Sequence, residues 1–343
     1  MLNKLKKEYK RFIERQFKKN NKEYENLLKE CEKTSNMLDL SYDFLFVENW
    51  RNFYFENKDL INKKFEKLNA NLDSHSINTA KQIWERFIYL MPFQKYIRPN
   101  SLYVDRNKFF DEEEIEDQIK FNNMASAFGQ NYKLSYDIYE VSVFGYHHGL
   151  KLLPAEVLAL LKGKDFMDIG AFVGDSALIL NEYEPDDIHC FEPSSTNYEL
   201  LKKTIEMNHL SNIKIYNIGL GDKECEIDFN DNFNSASFHI ETSINQNLKK
   251  MKISTVDEVC RYNDLNLGLI KLDVEGYELE CIKGALESIK KHRPVLLISV
   301  YHHPKDFFEI KPLLESLNLG YKFMIRKTNP FSLTYETMLL AYI

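Results

Sequence analysis

Two hydrophobic textures divide the chain. Up to about residue 140, apolar residues recur at helical spacing; from about residue 150, short β-branched and aromatic runs alternate with helical segments. That alternation predicts βαβ units and a parallel sheet. The predicted strands are FMDI (166–169), DIHCF (187–191), IKIYNI (213–218), LIKLDV (269–274), VLLISVY (295–301), YKFMIR (321–326) and TMLLAYI (337–343). Helices are expected at about 175–183, 195–208, 255–262, 277–291 and 305–317. The last two strands lack a helix-length crossover between them, so they should run antiparallel.

The first part of the chain reads as helical. Leu2, Leu5, Tyr9, Phe12, Ile13 and Phe17 mark one amphipathic helix within a basic segment, residues 1–33, with 11 Lys/Arg against 6 Asp/Glu. Lys19 and Asn20 interrupt its seam, which favours a helix packed on its own domain over a sustained coiled coil; a membrane-surface or partner helix is the lesser alternative, since a basic face is usually just solvated. More helix is expected over 41–68 and 75–95, and the acidic run DEEEIED (111–117) reads as a solvated helix start. The expected division is a mainly helical cap or oligomerisation region, 1–143, and an α/β domain, 144–343.

Composition narrows the classes. An apolar fraction of 44% with 24 Phe and 20 Tyr excludes wholesale disorder. A net charge of -7 argues against a nucleic-acid coat. The five cysteines are odd in number and contain no C-x-x-C, so neither a disulfide framework nor a zinc ribbon fits. No stretch approaches the ~20 apolar residues of a membrane span, and no apolar core follows the basic N-terminus. The expectation is a cytoplasmic protein.

The loop after the first strand carries the first chemical signal. In Asp168-Ile169-Gly170-Ala171-Phe172-Val173-Gly174-Asp175-Ser176 the glycines are spaced G-x-x-x-G, not the G-x-G-x-x-G of a dinucleotide cradle. Gly170 would let the backbone approach a ligand, and Gly174 would open the helix. Acidic Asp168 and Asp175 suit a cationic ligand better than a diphosphate. Glu192, at the end of the second strand, is placed to hold both hydroxyls of a ribose. Each feature alone is more simply a turn or surface residue; their order across two successive strand ends, where open α/β sheets bind ligands, favours S-adenosylmethionine.

On these residues the sequence resembles the FkbM-type methyltransferases, within the class I S-adenosylmethionine-dependent fold, over about residues 144–343. The resemblance rests on DIGAFVGDSA (168–177), FEP (191–193), GLGD (219–222), IKLDVEGYELECIKGA (270–285), SVYHHPKDFFEI (299–310) and ETMLLAY (336–342). The family's Asn in the first loop is Phe172 here, and a Thr is Ser176. What the resemblance implies is a seven-stranded, mostly parallel Rossmann-like sheet with an antiparallel last strand. It also implies cofactor contacts from Asp168, Gly170, Gly174, Asp175, Ser176, Glu192 and Gly221.

Transfer of a methyl group to an alcohol needs a positioned acceptor and a route for its proton. Asp273 and Glu275 end the fourth strand, next to the cofactor strand in this fold; the plainer reading makes them a helix cap and a first-turn acid. His302 follows the fifth strand in Tyr301-His302-His303, and a second Tyr146-His147-His148 precedes the domain. Asp273, Glu275 and His302 are therefore the expected catalytic cluster. Two readings stay open: a neutral imidazole base, or a divalent metal such as Fe(II) or Mn(II) on His147, His148, Asp273 and His302. Arg326 and Glu336 are either a structural ion pair or part of the acceptor pocket.

The function expected is O-methylation of a hydroxyl on a sugar, nucleotide-sugar or related polar small molecule, with a homo-oligomer formed through the N-terminal helices. The rivals are a nicotinamide-dependent oxidoreductase, which lacks its glycine motif here, and a non-catalytic oligomeric scaffold. Nucleic-acid methylation is disfavoured by charge and by Asp-Val-Glu-Gly at the fourth strand end.

Overall fold

The structure is a computed structural model, describing residues 37–39, 46–91, 103–105, 109–122, 124–136, 138–230 and 248–343. The predicted helix within residues 1–33 lies outside the described residues. Seven strands form the main sheet: β1 (Asp165–Ile169), β2 (Ile188–Phe191), β3 (Ile213–Tyr216), β4 (Leu267–Leu272), β5 (Val295–Ser299), β6 (Lys322–Lys327) and β7 (Thr337–Tyr342). Their order is β6-β7-β5-β4-β1-β2-β3. β3, β2, β1, β4 and β5 pair in parallel, and β7 pairs antiparallel with both β5 and β6. Every residue of β2 and β5 is buried, which is why central parallel strands read as unbroken apolar runs.

The connections follow their caps. Helix α6 (Ser195–Met207; α1 to α5 are placed below) begins at Ser194, whose side chain accepts from the Asn197 N–H. Helix α7 (Val256–Asn263) begins at Thr255, which accepts from Glu258 N–H. The single helix predicted over 277–291 is two, α8 (Glu278–Lys283) and Leu286–His292. They part at Gly284, where a Cβ would stand 1.9 Å from the Gly221 carbonyl oxygen. The sequence reading misses the two-stranded pair Met37–Asp39 and Tyr103–Asp105, and also a small sheet of Gly219–Leu220, Cys225–Asn230 and Leu248–Ser254. Its alternating Cys225, Ile227, Met251 and Ile253 form a separate small cluster, so a period-two signal was present in a charge-rich context.

The N-terminal helices share the sheet's core. The stretch predicted as helical over 41–68 is two helices, α1 (Val47–Asn57) and α2 (Ile61–Asn69), followed by α3 (Ser74–Leu90), α4 (Glu112–Asn122) and, after β1, α5 (Asp175–Leu180). Trp50 on α1 is fully buried, stacks on Phe87 with ring centroids 3.9 Å apart, and meets Phe307 edge-on at 5.2 Å. Phe307 belongs to α9 (Pro304–Ser316), which follows β5. The Trp50 indole N–H donates to the Tyr301 carbonyl at 3.0 Å, tying α1 to the loop after β5. Trp50→Ala should therefore cost about 3–5 kcal/mol of stability by loss of the ring. Urea denaturation of the variant checks this; a loss under about 1 kcal/mol would mean that α1 contributes little to the core.

The acidic run does start a helix, yet not a wholly solvated one. Glu114 turns inward to a bidentate pair with Arg86, at 2.6 and 2.8 Å, while Arg86 also donates to the Leu333 and Phe109 carbonyls. Among the described residues, no helix is long and apolar enough to cross a membrane.

Candidate active site

The loop between β1 and α5 is shaped by contacts within the chain. Gly170 has φ 83°, and a Cβ there would lie 1.8 Å from the Asp273 carbonyl oxygen, so its role is to let two strand-end loops touch. Gly174, at φ 88°, sits against Leu201 in α6. Gly221 likewise packs under the Tyr277 ring, 2.8 Å from where a Cβ would be. The expectation that these glycines face a ligand thus meets a competing demand for close packing.

Glu192 closes the loop. Its Oε2 accepts from the Phe172 N–H at 2.9 Å and its Oε1 from the Ser194 N–H at 2.9 Å, with Asn197 Nδ2 at 3.4 Å. Burial pushes its carboxyl up to about 7, opposed by the Ser194 and Phe172 hydrogen bonds. Each carboxylate oxygen has two lone pairs, so with Ser194 and Asn197 on Oε1 one acceptor position remains, on Oε2. Asp175 is buried, and burial lifts it to about 6 against the pull of Lys271.

Asp168 has a partner the sequence reading missed. Lys271 on β4 is 2% exposed, places Nζ 3.1 Å from Asp168 Oδ1, and donates to the Gly170 carbonyl at 2.7 Å. Burial alone would favour its neutral form, yet Asp168, Asp273 and Asp175 together push its pKa up and hold it protonated. The carboxylate expected to attract an external cation faces an internal one. The signal in the sequence was a lone lysine inside the apolar run Leu269-Ile270-Lys271-Leu272.

The ends of β4 and β5 bring together the expected cluster and add one residue. Glu278, fully buried at the start of α8, accepts from the Val274 and Gly276 N–H groups at 2.9 Å each, so the capping role considered for Asp273 and Glu275 belongs to it. Its Oε1 also lies 2.7 Å from His302 Nδ1. On the other side of the ring, His302 Nε2 faces Asp273 Oδ1 at 3.4 Å and Glu275 Oε2 at 3.6 Å, with no hydrogen-bond partner. Burial disfavours an imidazolium, but the charges of Glu278 and Glu275, the Glu278 hydrogen bond and the Asp273 charge outweigh it and raise His302 to about 10. That direction favours a ring holding both protons, against the neutral imidazole base expected from the sequence. His303 points elsewhere and caps α9, accepting from the Lys305 N–H at 3.1 Å.

His147 and His148 do not join this cluster. His147 Nδ1 meets the Tyr183 hydroxyl at 3.0 Å, and His148 Nε2 the Ser176 hydroxyl at 2.8 Å. Both stay neutral: burial and Lys151 depress His147 to about 4, while burial and Lys271 hold His148 far below its usual value. Among the described residues, the groups able to converge on a metal are Asp273, Glu278 and His302, and, at the opposite ends of β1 and β2, Asp165, Asp187 and His189. The four-residue ligand set drawn from both His pairs is therefore not assembled.

Arg326 and Glu336 separate as well. Arg326 reaches Asp73, the N-cap of α3, at 3.3 Å, and Ser76 at 2.7 Å. Glu336, buried at the start of β7, accepts from the Tyr301 hydroxyl at 3.1 Å. Burial and the charges of Asp273 and Glu140 push its pKa well up. Glu140, just before the domain, is raised to about 7 by burial and by Asp175 and Asp273. No local pattern marks Glu140 in the sequence; only the fold carries it to this cleft.

The strand order, the parallel centre and the antiparallel β7, with an acid at the end of β2 and a carboxylate cluster at the end of β4, define a Rossmann-like methyltransferase fold. Residues 168–323 match the model of the methyltransferase FkbM domain. Over that region the chain is similar to the FkbM-type methyltransferase domain. Among solved structures, methyltransferase FkbM from Methylobacillus flagellatus aligns at 18% identity and a TM-score of 0.55, over 86% of this chain and 61% of that one. An rRNA methylase from Streptococcus thermophilus aligns at 11% identity and a TM-score of 0.32, over 60% of this chain and 96% of that one. The chain thus spans 61% of the length of the first of these structures, and at such identities the likeness is one of fold. No curated protein matches the sequence significantly.

Proposed function

We propose that the protein is an S-adenosylmethionine-dependent O-methyltransferase acting on a hydroxyl of a sugar, nucleotide-sugar or related polar acceptor. The observation that carries the reading is the chain Glu278–His302–Asp273 at the ends of β4 and β5, beside the loop that Glu192 closes. The donor set fits the cofactor: Glu192 Oε2 keeps an acceptor position for a ribose hydroxyl, and buried Asp175 offers a carboxylate at the start of α5. When bound, the cofactor supplies an electrophilic methyl on a sulfonium. Asp273 would take the proton from the acceptor hydroxyl, and His302, anchored by Glu278, would orient Asp273 and stabilise negative charge as it develops. Glu275, at 42% side-chain exposure, stands at the solvent side of this pair.

The same atoms favour a second reading. A buried ring nitrogen with no hydrogen-bond partner, flanked by two carboxylates and backed by a third on its other nitrogen, is the arrangement of a carboxylate-oriented His metal ligand. Fe(II) or Mn(II) at the converging group of His302, Asp273 and Glu278 would acidify a bound hydroxyl. The N-terminal helices serve as a cap over the acceptor side, a role supported by Phe46 lying edge-on to His302 at 5.0 Å. The described cysteines Cys190, Cys225, Cys260 and Cys281 are unpaired, in keeping with a reducing compartment.

Calorimetry with S-adenosylhomocysteine and with NAD tests the cofactor. The parent should bind the former and not the latter, and Glu192→Ala should weaken binding by about 10- to 100-fold through loss of a charge-assisted hydrogen bond. Unchanged affinity in the variant would remove the ribose role, and NAD binding alone would restore the oxidoreductase.

A further inference from the structure

We propose that the acceptor carries a protonated amine near its reacting hydroxyl, and that Glu336 and Glu140 hold that ammonium. The inference rests on the O-methyltransferase reading and names its substrate class.

Glu336 is 2% exposed, its Oε1 accepts from the Tyr301 hydroxyl, and its Oε2 has no hydrogen-bond partner. A buried carboxyl oxygen left without a partner costs free energy that a native structure normally avoids. The basic side chains nearest in sequence do not relieve it. Arg326 is paired with Asp73, Lys327 with Glu114, and Lys271 with Asp168. His302 gives its Nδ1 side to Glu278. Asp273 and Glu140 both lie close enough for their charges to act on Glu336. Acidic groups thus outnumber the cation that acts on Glu336, which is His302.

The surroundings select the kind of cation. Tyr335 and Tyr301 stand with ring centroids 4.9 Å apart, Tyr301 contacts His302 at 4.0 Å, and Phe46 meets Tyr301 at 5.4 Å. Aromatic faces beside carboxylates are the recognition chemistry of an organic ammonium, which combines ion pairing with cation–π attraction. A divalent metal instead needs ring nitrogen and several oxygens in one shell, and that set lies on the Asp273 side. An amine on Glu336 and Glu140 would place an attached hydroxyl toward Asp273, so the pair would govern which acceptors react.

The test uses saturation-transfer NMR on the full-length protein with S-adenosylhomocysteine, and ethanolamine, glucosamine and glucose as probes. Ethanolamine and glucosamine should give signals, with glucose binding at least about tenfold more weakly. Glu336→Gln and Glu140→Gln should each bring glucosamine down toward the level of glucose. The proposal is overturned if glucose binds as well as glucosamine, if amine binding survives both substitutions, or if Mn(II) binds while the amines give no signal. Calorimetry on the same parent sample separates the two failures. With S-adenosylhomocysteine bound normally, a negative result removes only the ammonium assignment; without that binding, the methyltransferase reading falls and takes this proposal with it.

Discussion

Asp273→Asn should reduce methyl transfer by about 10²- to 10⁴-fold, the usual share of a proton acceptor, while S-adenosylhomocysteine affinity stays at the parent level. The substitution keeps the shape of the side chain 3.4 Å from His302 Nε2 and removes only its ability to take a proton. His302 is poorly suited to replace it, because Glu278, Glu275 and Asp273 overcome the burial penalty and push the ring's pKa up to about 10. If the variant turns over normally, the proton goes to another group, and Glu275 or Glu140 becomes the candidate. The same ring gives a stability signature. Its folded pKa of about 10 lies above the ordinary 6.5, so its contribution is full below pH 6.5 and is lost as pH rises through 10. The stability gap between the parent and His302→Gln, measured by denaturation at pH 6, 8 and 10, should therefore shrink with rising pH. A gap that is flat or widens would mean that His302 is neutral in the folded protein.

Lys271→Met should destabilise the protein by about 3–5 kcal/mol, and adding Asp168→Asn should restore a large part of the loss. Lys271 and Asp168 are 2% and 0% exposed and 3.1 Å apart, so removing the cation strands a carboxylate in the sheet interior. Neutralising both leaves no charge to desolvate. The Gly170 carbonyl, which accepts from Lys271 at 2.7 Å, would still lose its donor, so the rescue should be incomplete. Denaturant titration of the two single variants and the double variant measures the coupling. Simple addition of the two single losses would show that the ion pair does not hold the β1 and β4 ends together.

Local information in the sequence determined a good deal. The strands were legible because central parallel strands are buried on both faces, so each reads as its own apolar run, as Val295–Ser299 does. The antiparallel β7 followed from a connection too short to cross the sheet. The place of Glu192 and Asp273 at strand ends followed from the same pattern, since strand ends and loops are counted along the chain.

Tertiary structure decided what depends on neighbours distant in sequence. Lys271 is paired with a carboxylate 103 positions away, which no spacing reveals. The protonation of His302, on a ring 1% exposed, is set by Glu278 at the start of α8 with Glu275 and Asp273 of the β4 loop, and opposes the role its ordinary pKa suggests. Glu140 and Glu336 became members of one cleft only when the segment before β1 and the start of β7 met there. Trp50 likewise joined the sheet's core only once α1 lay against Phe87 and Phe307. Periodicity is written in consecutive residues, whereas burial and the charge state it imposes depend on which strands and loops the fold places side by side.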